Sequence, residues 1–193
     1  MHALYLKTAD LRTPLQPHQQ RVIDKLKASH GVLVAHGLGS GKTLTSIAAG
    51  DALDEPIEAI VPAPLVPNYQ KEMIKHTGGI PDGARVRSYE RTLKERDVRK
   101  DGLAVMDEAH KARNAGTGIA KHIAQEVAQA KDRLLLTGTP VYNQAHDLAI
   151  LLNTAAGRKV LPDDPKLFGQ TFVGTKTIQA PLWDRMKGQL LGH

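Results

Sequence analysis

The chain has 193 residues, no cysteine and a formal net charge of +6, with 41% hydrophobic and 24% charged residues. This length suits one domain with a buried core and is too short for two full domains. The lack of cysteine excludes disulfides and thiolate metal sites. No apolar run reaches the ~18 residues of a membrane span, and the first residues do not resemble a secretory signal. We therefore expect a cytoplasmic protein, and the positive charge favours polyanionic partners.

Five short apolar segments alternate along the chain with helix-like segments. They are rich in Val, Ile and Leu and are bounded by Gly, Pro or charged residues, which is typical of buried strands. The predicted strands are 31–36, 57–63, 84–89, 102–108 and 132–138. Alternating strands and helices predict parallel βαβ units, with helices on both faces of a sheet and a binding crevice at the carboxyl ends of the strands. Functional motifs should then lie directly after strands.

The pattern changes near residue 154. Prolines and glycines are frequent in 154–181, and Arg158 and Lys159 form a basic pair there. We therefore predict a loop-rich extension. In the final stretch, Leu182, Met186 and Leu190 recur at helical spacing, which predicts a terminal helix.

Residues 34–50 read VAHGLGSGKTLTSIAAG and join a predicted strand to a predicted helix. This is the context of a Walker A phosphate loop, in which glycines let backbone N–H groups approach phosphates at a helix N-terminus. The predicted ATP-binding residues of this loop are Gly37, Gly39, Ser40, Gly41, Lys42 and Thr43. Lys42 would reach the β- and γ-phosphates, and Thr43 would bind Mg²⁺. His36 stands where the strict pattern has glycine, which we expect to affect only the start of the loop.

The sequence Asp107-Glu108-Ala109-His110 closes the apolar run LAVM. It therefore places two carboxylates at the carboxyl end of another strand of the same sheet. Asp107 would hold Mg²⁺ through water, and Glu108 would polarise the attacking water. Together with the phosphate loop, this pair predicts ATP hydrolysis with Lys42, Asp107 and Glu108 as catalytic residues.

The chain resembles the first RecA-like lobe of superfamily-two helicases, most closely the Swi/Snf-type DNA translocases, in six stretches that occur in the family's order: LQPHQ (15–19), HGLGSGKT (36–43), VPAPLVPNYQKE (61–72), RSYE (87–90), DEAHKARN (107–114) and LTGTPVYNQAHDLAILLN (136–153). The resemblance implies an α/β, three-layer RecA-like P-loop domain with a mostly parallel central sheet, and ATP and Mg²⁺ as cofactors. It further implies that residues 1–173 are a helicase ATP-binding lobe. Residues 174–193 would be a helix or linker toward a second lobe that this chain lacks.

The same resemblance implies roles for single residues. Gln19 looks like the glutamine that pairs with the adenine edge. Three residues look like those that couple the nucleotide state to the nucleic-acid groove: His110, Thr137 and Thr139. The implied contacts with the nucleic-acid backbone are Pro64, Arg87, Ser88, Tyr89, Lys111, Arg113 and Asn114.

The implied function is that of one lobe of an ATP-dependent motor that translocates on duplex DNA, in the cytoplasm or in the nucleic-acid compartment of a host cell. Family motors bind ATP between two lobes, and the second supplies an arginine finger worth ~10³ to 10⁵ in rate. The isolated lobe should therefore hydrolyse ATP very slowly. Two alternatives remain open: a lobe of a strand-separating DNA or RNA helicase, and a nonhydrolysing module that docks nucleic acid or protein. The compact loop also resembles those of nucleic-acid-dependent ATPases from large DNA viruses and phages.

Overall fold

A computed structural model describes residues 11–37, 39–109, 116–138, 147–162, 164–172 and 190–192. Its strands are β1 Gly31–Ala35, β2 Ile57–Val61, β3 Arg85–Ser88, β4 Leu103–Met106, β5 Asp132–Thr137 and β6 Leu190–Gly192. Its α-helices are α1 Pro17–Ser29, α2 Lys42–Leu53, α3 Val66–Thr77, α4 Tyr89–Glu95, α5 Gly116–Val127, α6 Asp147–Ala156 and α7 Pro165–Phe172, and a short 3₁₀ helix spans Ala63–Leu65. Within the described residues, no helix has the length and apolarity needed to cross a membrane.

The strands form one parallel sheet in the order β3-β2-β4-β5-β1-β6. The five predicted strands are all present, so the predicted α/β class and parallel sheet are confirmed. Strands β1, β2, β4 and β5 are buried along nearly their whole length because helices cover the sheet on both sides.

Helices α1, α2 and α3 pack on one face of the sheet, and α4, α5 and α6 pack on the other. Side chains of one strand alternate between the two cores, as the pleat requires. In β1, for example, Val32 and Val34 join the core beside α1 to α3, while Leu33 joins the opposite core. This three-layer arrangement places the segments that follow the strands along one edge of the sheet.

The end of the chain differs from the sequence prediction. Residues 190–192 form a strand beside β1, with Leu33 opposite Leu190 and Ala35 opposite Gly192, so the predicted helix does not extend to Leu190. Strand pairing satisfies main-chain hydrogen-bonding groups on the edge of β1. This pairing decides the conformation of Leu190 against the helical spacing of Leu182, Met186 and Leu190 in the sequence. The remainder of the predicted helix and linker, 174–189, lies outside the described residues.

The predicted loop-rich extension is also partly wrong, because α6 continues to Ala156 and α7 covers Pro165–Phe172. Asn153 fixes the turn between them: its Oδ1 accepts N–H bonds from Val160 and Leu161, each 2.8 Å. The side chain of Asp164 caps α7 by accepting the N–H of Leu167 at 2.8 Å. Proline at the first position of a helix is favoured rather than disruptive, so this proline marks a helix start.

Candidate nucleotide site

The loop between β1 and α2 has the backbone of a phosphate loop. Gly39 and Gly41 adopt left-handed conformations, with φ of 79° and 73°, which glycine reaches without a Cβ penalty. At Gly41 a Cβ would also lie 2.5 Å from Nε2 of Gln19. This glycine therefore permits both the turn and the close contact between the loop and α1.

Lys42, the first residue of α2, folds back over this loop. Its Nζ donates hydrogen bonds to the carbonyl oxygens of His36 at 3.0 Å and Gly37 at 3.1 Å. Helix α2 has neither a side-chain cap nor an acidic residue in its first turn, so its first N–H groups and the positive end of its dipole face the loop. These are the groups that bind phosphate oxygens. The residues present therefore fit a nucleoside triphosphate.

His36, which departs from the strict pattern, packs at the start of the loop. Its side chain is largely buried, and its ring meets that of His18 edge-on, with centroids 5.4 Å apart and planes at 70°. His18 in turn donates from Nε2 to the carbonyl of Ser40 at 2.9 Å. The histidine pair thus ties α1 to both ends of the loop. A cavity of about 440 Å³ beside the loop is lined by His18, Arg21, Ala35, His36, Gly37 and Ser40.

Gln19 of α1 is buried against the phosphate loop. Its Oε1 accepts the N–H of Gln16 at 2.9 Å, and its Nε2 donates to the carbonyl of Gly41 at 3.2 Å. The side chain therefore contacts the phosphate loop directly. Its pairing with an adenine edge remains a prediction.

Strand β5 anchors the phosphate loop and the acidic segment together. The N–H of His36 donates to the carbonyl of Thr137 at 3.0 Å, and the N–H of Ala109 donates to the carbonyl of Leu136 at 2.9 Å. β5 lies between β1 and β4 in the sheet, so two consecutive carbonyls fix both motifs at one edge. Thr137 is fully buried there. His110 and Thr139, its predicted partners in coupling, lie outside the described residues.

The acidic segment turns sharply after β4. Asp107 is 6% exposed, and its Oδ1 accepts the N–H of Glu108 at 2.9 Å. Glu108 has a φ of 50°, a left-handed conformation that costs a non-glycine residue of the order of 1 to 3 kcal/mol and often occurs at functional sites. The side-chain bond from Asp107 stabilises this turn.

The candidate metal ligands at this site are oxygen atoms, the donor type that Mg²⁺ binds. Among the described residues there is no group of three or more His, Asp or Glu that could hold a metal ion. Mg²⁺ in nucleotide sites needs only one or two protein oxygens besides phosphates and water. The Thr43 hydroxyl and the Asp107 carboxylate are such oxygens, and they remain the predicted ligands.

The structure corrects the prediction for Arg87. Its guanidinium is 4% exposed and pairs with Glu58, Glu95 and Asp97, donating from Nε to Glu58 Oε1 at 2.7 Å. Burial disfavours this cation, but hydrogen bonds to Asp97 and Glu95 and the charge of Glu58 outweigh burial and raise the pKa of Arg87. A side chain neutralised in this way is unavailable to a phosphate backbone.

The other predicted nucleic-acid contacts have varied placements. Ser88 caps α4 by accepting the N–H of Arg91 at 3.1 Å. Tyr89 is buried, and its hydroxyl donates to the carbonyl of Asp107 at 2.8 Å. Pro64 is exposed in the 3₁₀ helix. Lys111, Arg113 and Asn114 lie outside the described residues.

Sequence reasoning missed two features near the site. Glu58 is fully buried in β2, and a charged residue inside the apolar run IEAIV could have signalled a buried cation partner. The contact between Tyr69 and Ser46, with 2.6 Å between their oxygens, joins α3 to α2 and left no signal in the local pattern.

Comparison with known proteins agrees with this geometry. The family model described as the SNF2-related domain matches residues 83–173, which include the acidic segment and β5. The phosphate loop lies before this SNF2-related segment in the chain, and the predicted resemblance to a Swi/Snf-type first lobe is confirmed.

Two relatives and one solved structure extend the comparison. A protein of Acanthamoeba polyphaga mimivirus named as an ATP-dependent RNA helicase is 34% identical over 177 residues, which cover 87% of this chain and 39% of the relative. The ISWI chromatin-remodeling complex ATPase ISW2 of Saccharomyces cerevisiae is 29% identical, covering 72% of this chain and 15% of that protein. The chain thus spans well under half the length of these relatives.

The solved structure is the SWI2/SNF2 ATPase core of Sulfolobus solfataricus in complex with double-stranded DNA. It matches with a TM-score of 0.74 at 22% identity, covering 96% of this chain and 46% of that one. At this identity the match concerns the fold, and it confirms the predicted RecA-like arrangement.

Proposed function

We propose that this chain is the ATP-binding lobe of an ATP-dependent motor that translocates on double-stranded DNA. The observation that carries the proposal is the anchoring of the phosphate loop and the acidic segment to consecutive carbonyls of β5. Phosphoryl transfer needs a phosphate cradle and a carboxylate for water fixed relative to each other, since catalysis is mostly positioning and charge stabilisation.

Each residue then has a definite task. Lys42 would exchange its two carbonyl partners for phosphate oxygens, while the N–H groups at the start of α2 bind the same phosphates. Thr43 and Asp107 would hold Mg²⁺, which neutralises phosphate charge when bound. Glu108 would orient the attacking water and accept its proton.

We further propose that residues outside these 193 supply a second lobe with the arginine finger. The chain by itself would then bind ATP weakly and turn it over very slowly, because the finger is worth ~10³ to 10⁵ in rate. The short overlap with the longer relatives supports this view.

The preference for duplex DNA is supported by the DNA-bound structural neighbour and by the remodelling ATPase among the relatives. Such a motor would grip the backbone and read shape rather than sequence. The net charge of +6 is compatible with a phosphate partner. The protein would act wherever that nucleic acid lies, in the cytoplasm or in the nucleic-acid compartment of a host.

A second candidate is an RNA helicase lobe, favoured by the name of the mimivirus relative. The docking-module alternative is less well supported, because an inert module has no physical need for Lys42, Asp107 and Glu108 together.

The test is ATP turnover by a protein in which this chain continues into a second RecA-like lobe, measured alone, with duplex DNA and with duplex RNA. We expect stimulation by duplex DNA and a loss of roughly 10² to 10⁴ in Glu108→Gln. Glu126→Gln, a carboxylate change on α5, should keep the activity. Stimulation by RNA alone would favour the helicase, and nucleic-acid binding without turnover would favour the docking module.

A further inference from the structure

Two buried tyrosines reach the proposed site from opposite faces of the sheet. Tyr69 of α3 belongs to the core beside α1 and α2, whereas Tyr89 begins α4 in the opposite core. Burial, with a further contribution from the charge of Asp107, raises the pKa of both hydroxyls above the ordinary value. Both are therefore neutral at physiological pH and can donate hydrogen bonds.

Tyr89 acts on the peptide that joins Asp107 to Glu108. Its hydroxyl donates to the carbonyl oxygen of that peptide at 2.8 Å, and Asp107 Oδ1 accepts the N–H of the same peptide at 2.9 Å. The peptide unit is thus held from both sides. This restraint fixes the left-handed turn in which Glu108 lies.

Tyr69 acts on the first turn of α2 through one intermediate. Ser46 Oγ donates its only hydrogen to the carbonyl of Thr43 at 2.8 Å. The 2.6 Å contact with Tyr69 must then be a hydrogen bond donated by the tyrosine. Two consecutive hydrogen bonds therefore connect α3 with the residue predicted to bind Mg²⁺.

We infer that Tyr69 and Tyr89 are positioning residues that set the two turns carrying the Mg²⁺-binding groups, an inference that rests on the proposed function. Tyr69 acts through Ser46 on the start of α2, and Tyr89 acts directly on the turn that carries Asp107 and Glu108.

The test uses the 193-residue chain and measures the Kd of a nonhydrolysable ATP analogue with Mg²⁺ and with excess EDTA. The readout is the Kd measured with EDTA divided by the Kd measured with Mg²⁺. This ratio reports the metal contribution to affinity separately from overall folding. We expect Tyr69→Phe and Tyr89→Phe each to lower this ratio about fivefold, the effect of one lost hydrogen bond. Thr154→Val is the matched control, because it removes a buried hydroxyl that donates to the carbonyl of Ile150 at 2.8 Å, away from the site.

The hydrogen-bonded link from Tyr69 through Ser46 to Thr43 has its own test. Ser46→Ala should lower the ratio, and adding Tyr69→Phe to it should change the ratio no further, because the link is already broken. Additive effects of the two substitutions on the ratio would show that Tyr69 does not act through Ser46.

Two outcomes separate this inference from the proposed function. In the first outcome, the unmodified chain binds the analogue more tightly with Mg²⁺, but the tyrosine variants lower the Kd ratio no more than Thr154→Val does. The positioning role is then wrong and the proposed function stands. If the unmodified chain shows no Mg²⁺-dependent binding, the proposed site fails and the positioning role fails with it.

Discussion

The phosphate loop after β1 and the end of β3 both present a cation near the carboxyl edge of the sheet, but the partners of the two cations differ. Lys42 donates to two main-chain carbonyls, which carry no net charge. Arg87 is surrounded by three carboxylates. Phosphate oxygens can replace neutral carbonyls with a gain in charge-assisted bonding, whereas removing Arg87 would leave a buried charge. The partners of a cation, rather than its position at a strand end, therefore decide whether it can bind a ligand.

The largest expected effect follows from breaking the carboxylate cluster. Arg87→Ala should lower the free energy of unfolding by about 3 kcal/mol, because it breaks a buried ion pair. This value is at the lower end for such a change, since Arg85 still pairs with the fully buried Glu58. Denaturant unfolding measures this change. Arg91→Ala, whose side chain is 65% exposed, is the control and should stay within about 0.5 kcal/mol. Equal effects of the two variants would contradict a structural role for Arg87.

A smaller effect is expected from stiffening the phosphate loop. Gly41→Ala should lower the free energy of unfolding by about 1 to 2 kcal/mol, because its φ of 73° is left-handed and the added methyl would press on the Gln19 amide. Gly37→Ala should have almost no effect, since no atom lies within 4 Å of its Cβ position. Thermal melts of the two variants make the comparison, and equal melting temperatures would mean that the loop does not need this backbone.

The smallest effect concerns acid stability at β3. Hydrogen bonds from Arg87 hold the pKa of Asp97 below its ordinary value. A carboxylate with a lowered folded-state pKa stabilises the protein above its unfolded-state pKa of about 3.9, and this stability is lost as the pH falls through the folded-state pKa. Because Asp97 is largely exposed, solvent screening keeps the effect small.

Melting temperature followed from pH 7 to pH 2 tests this effect. Asp97→Asn should flatten the acid limb of the curve relative to the unmodified chain, while Asp82→Asn, at an exposed position, should leave it unchanged. An unchanged acid limb in Asp97→Asn would show that the cluster does not depend on this carboxylate.

Local patterns predicted much of the fold and the placement of the candidate site. The five apolar strands and the glycine-rich turn before Lys42 are encoded within a few residues each, so composition and periodicity identify them. The pattern of the last residues was misleading because β6 depends on pairing Leu190 with Leu33, which are far apart in sequence.

The partners of side chains were harder to predict. Arg87 and Glu58 are 29 residues apart, and their pairing needs β2 and β3 to be neighbours in register. The resemblance placed Arg87 among nucleic-acid contacts through the stretch RSYE (87–90), but Arg87 lies within β3 and its guanidinium pairs with the buried Glu58 of β2. Likewise, Tyr69 contacts Ser46 only because α2 and α3 pack together, which the local sequence does not indicate.

The most direct test of the central claim is the affinity of the chain for Mg²⁺–ATP, measured by titration calorimetry for the unmodified chain, Lys42→Ala and Lys27→Ala. Lys27 is exposed on α1 and controls for the loss of one positive charge. If the loop after β1 is the phosphate site, Lys42→Ala should weaken binding roughly 10- to 100-fold, as expected for a hydrogen bond from a charged group, while Lys27→Ala binds normally. Equal binding by all three proteins would contradict the assignment.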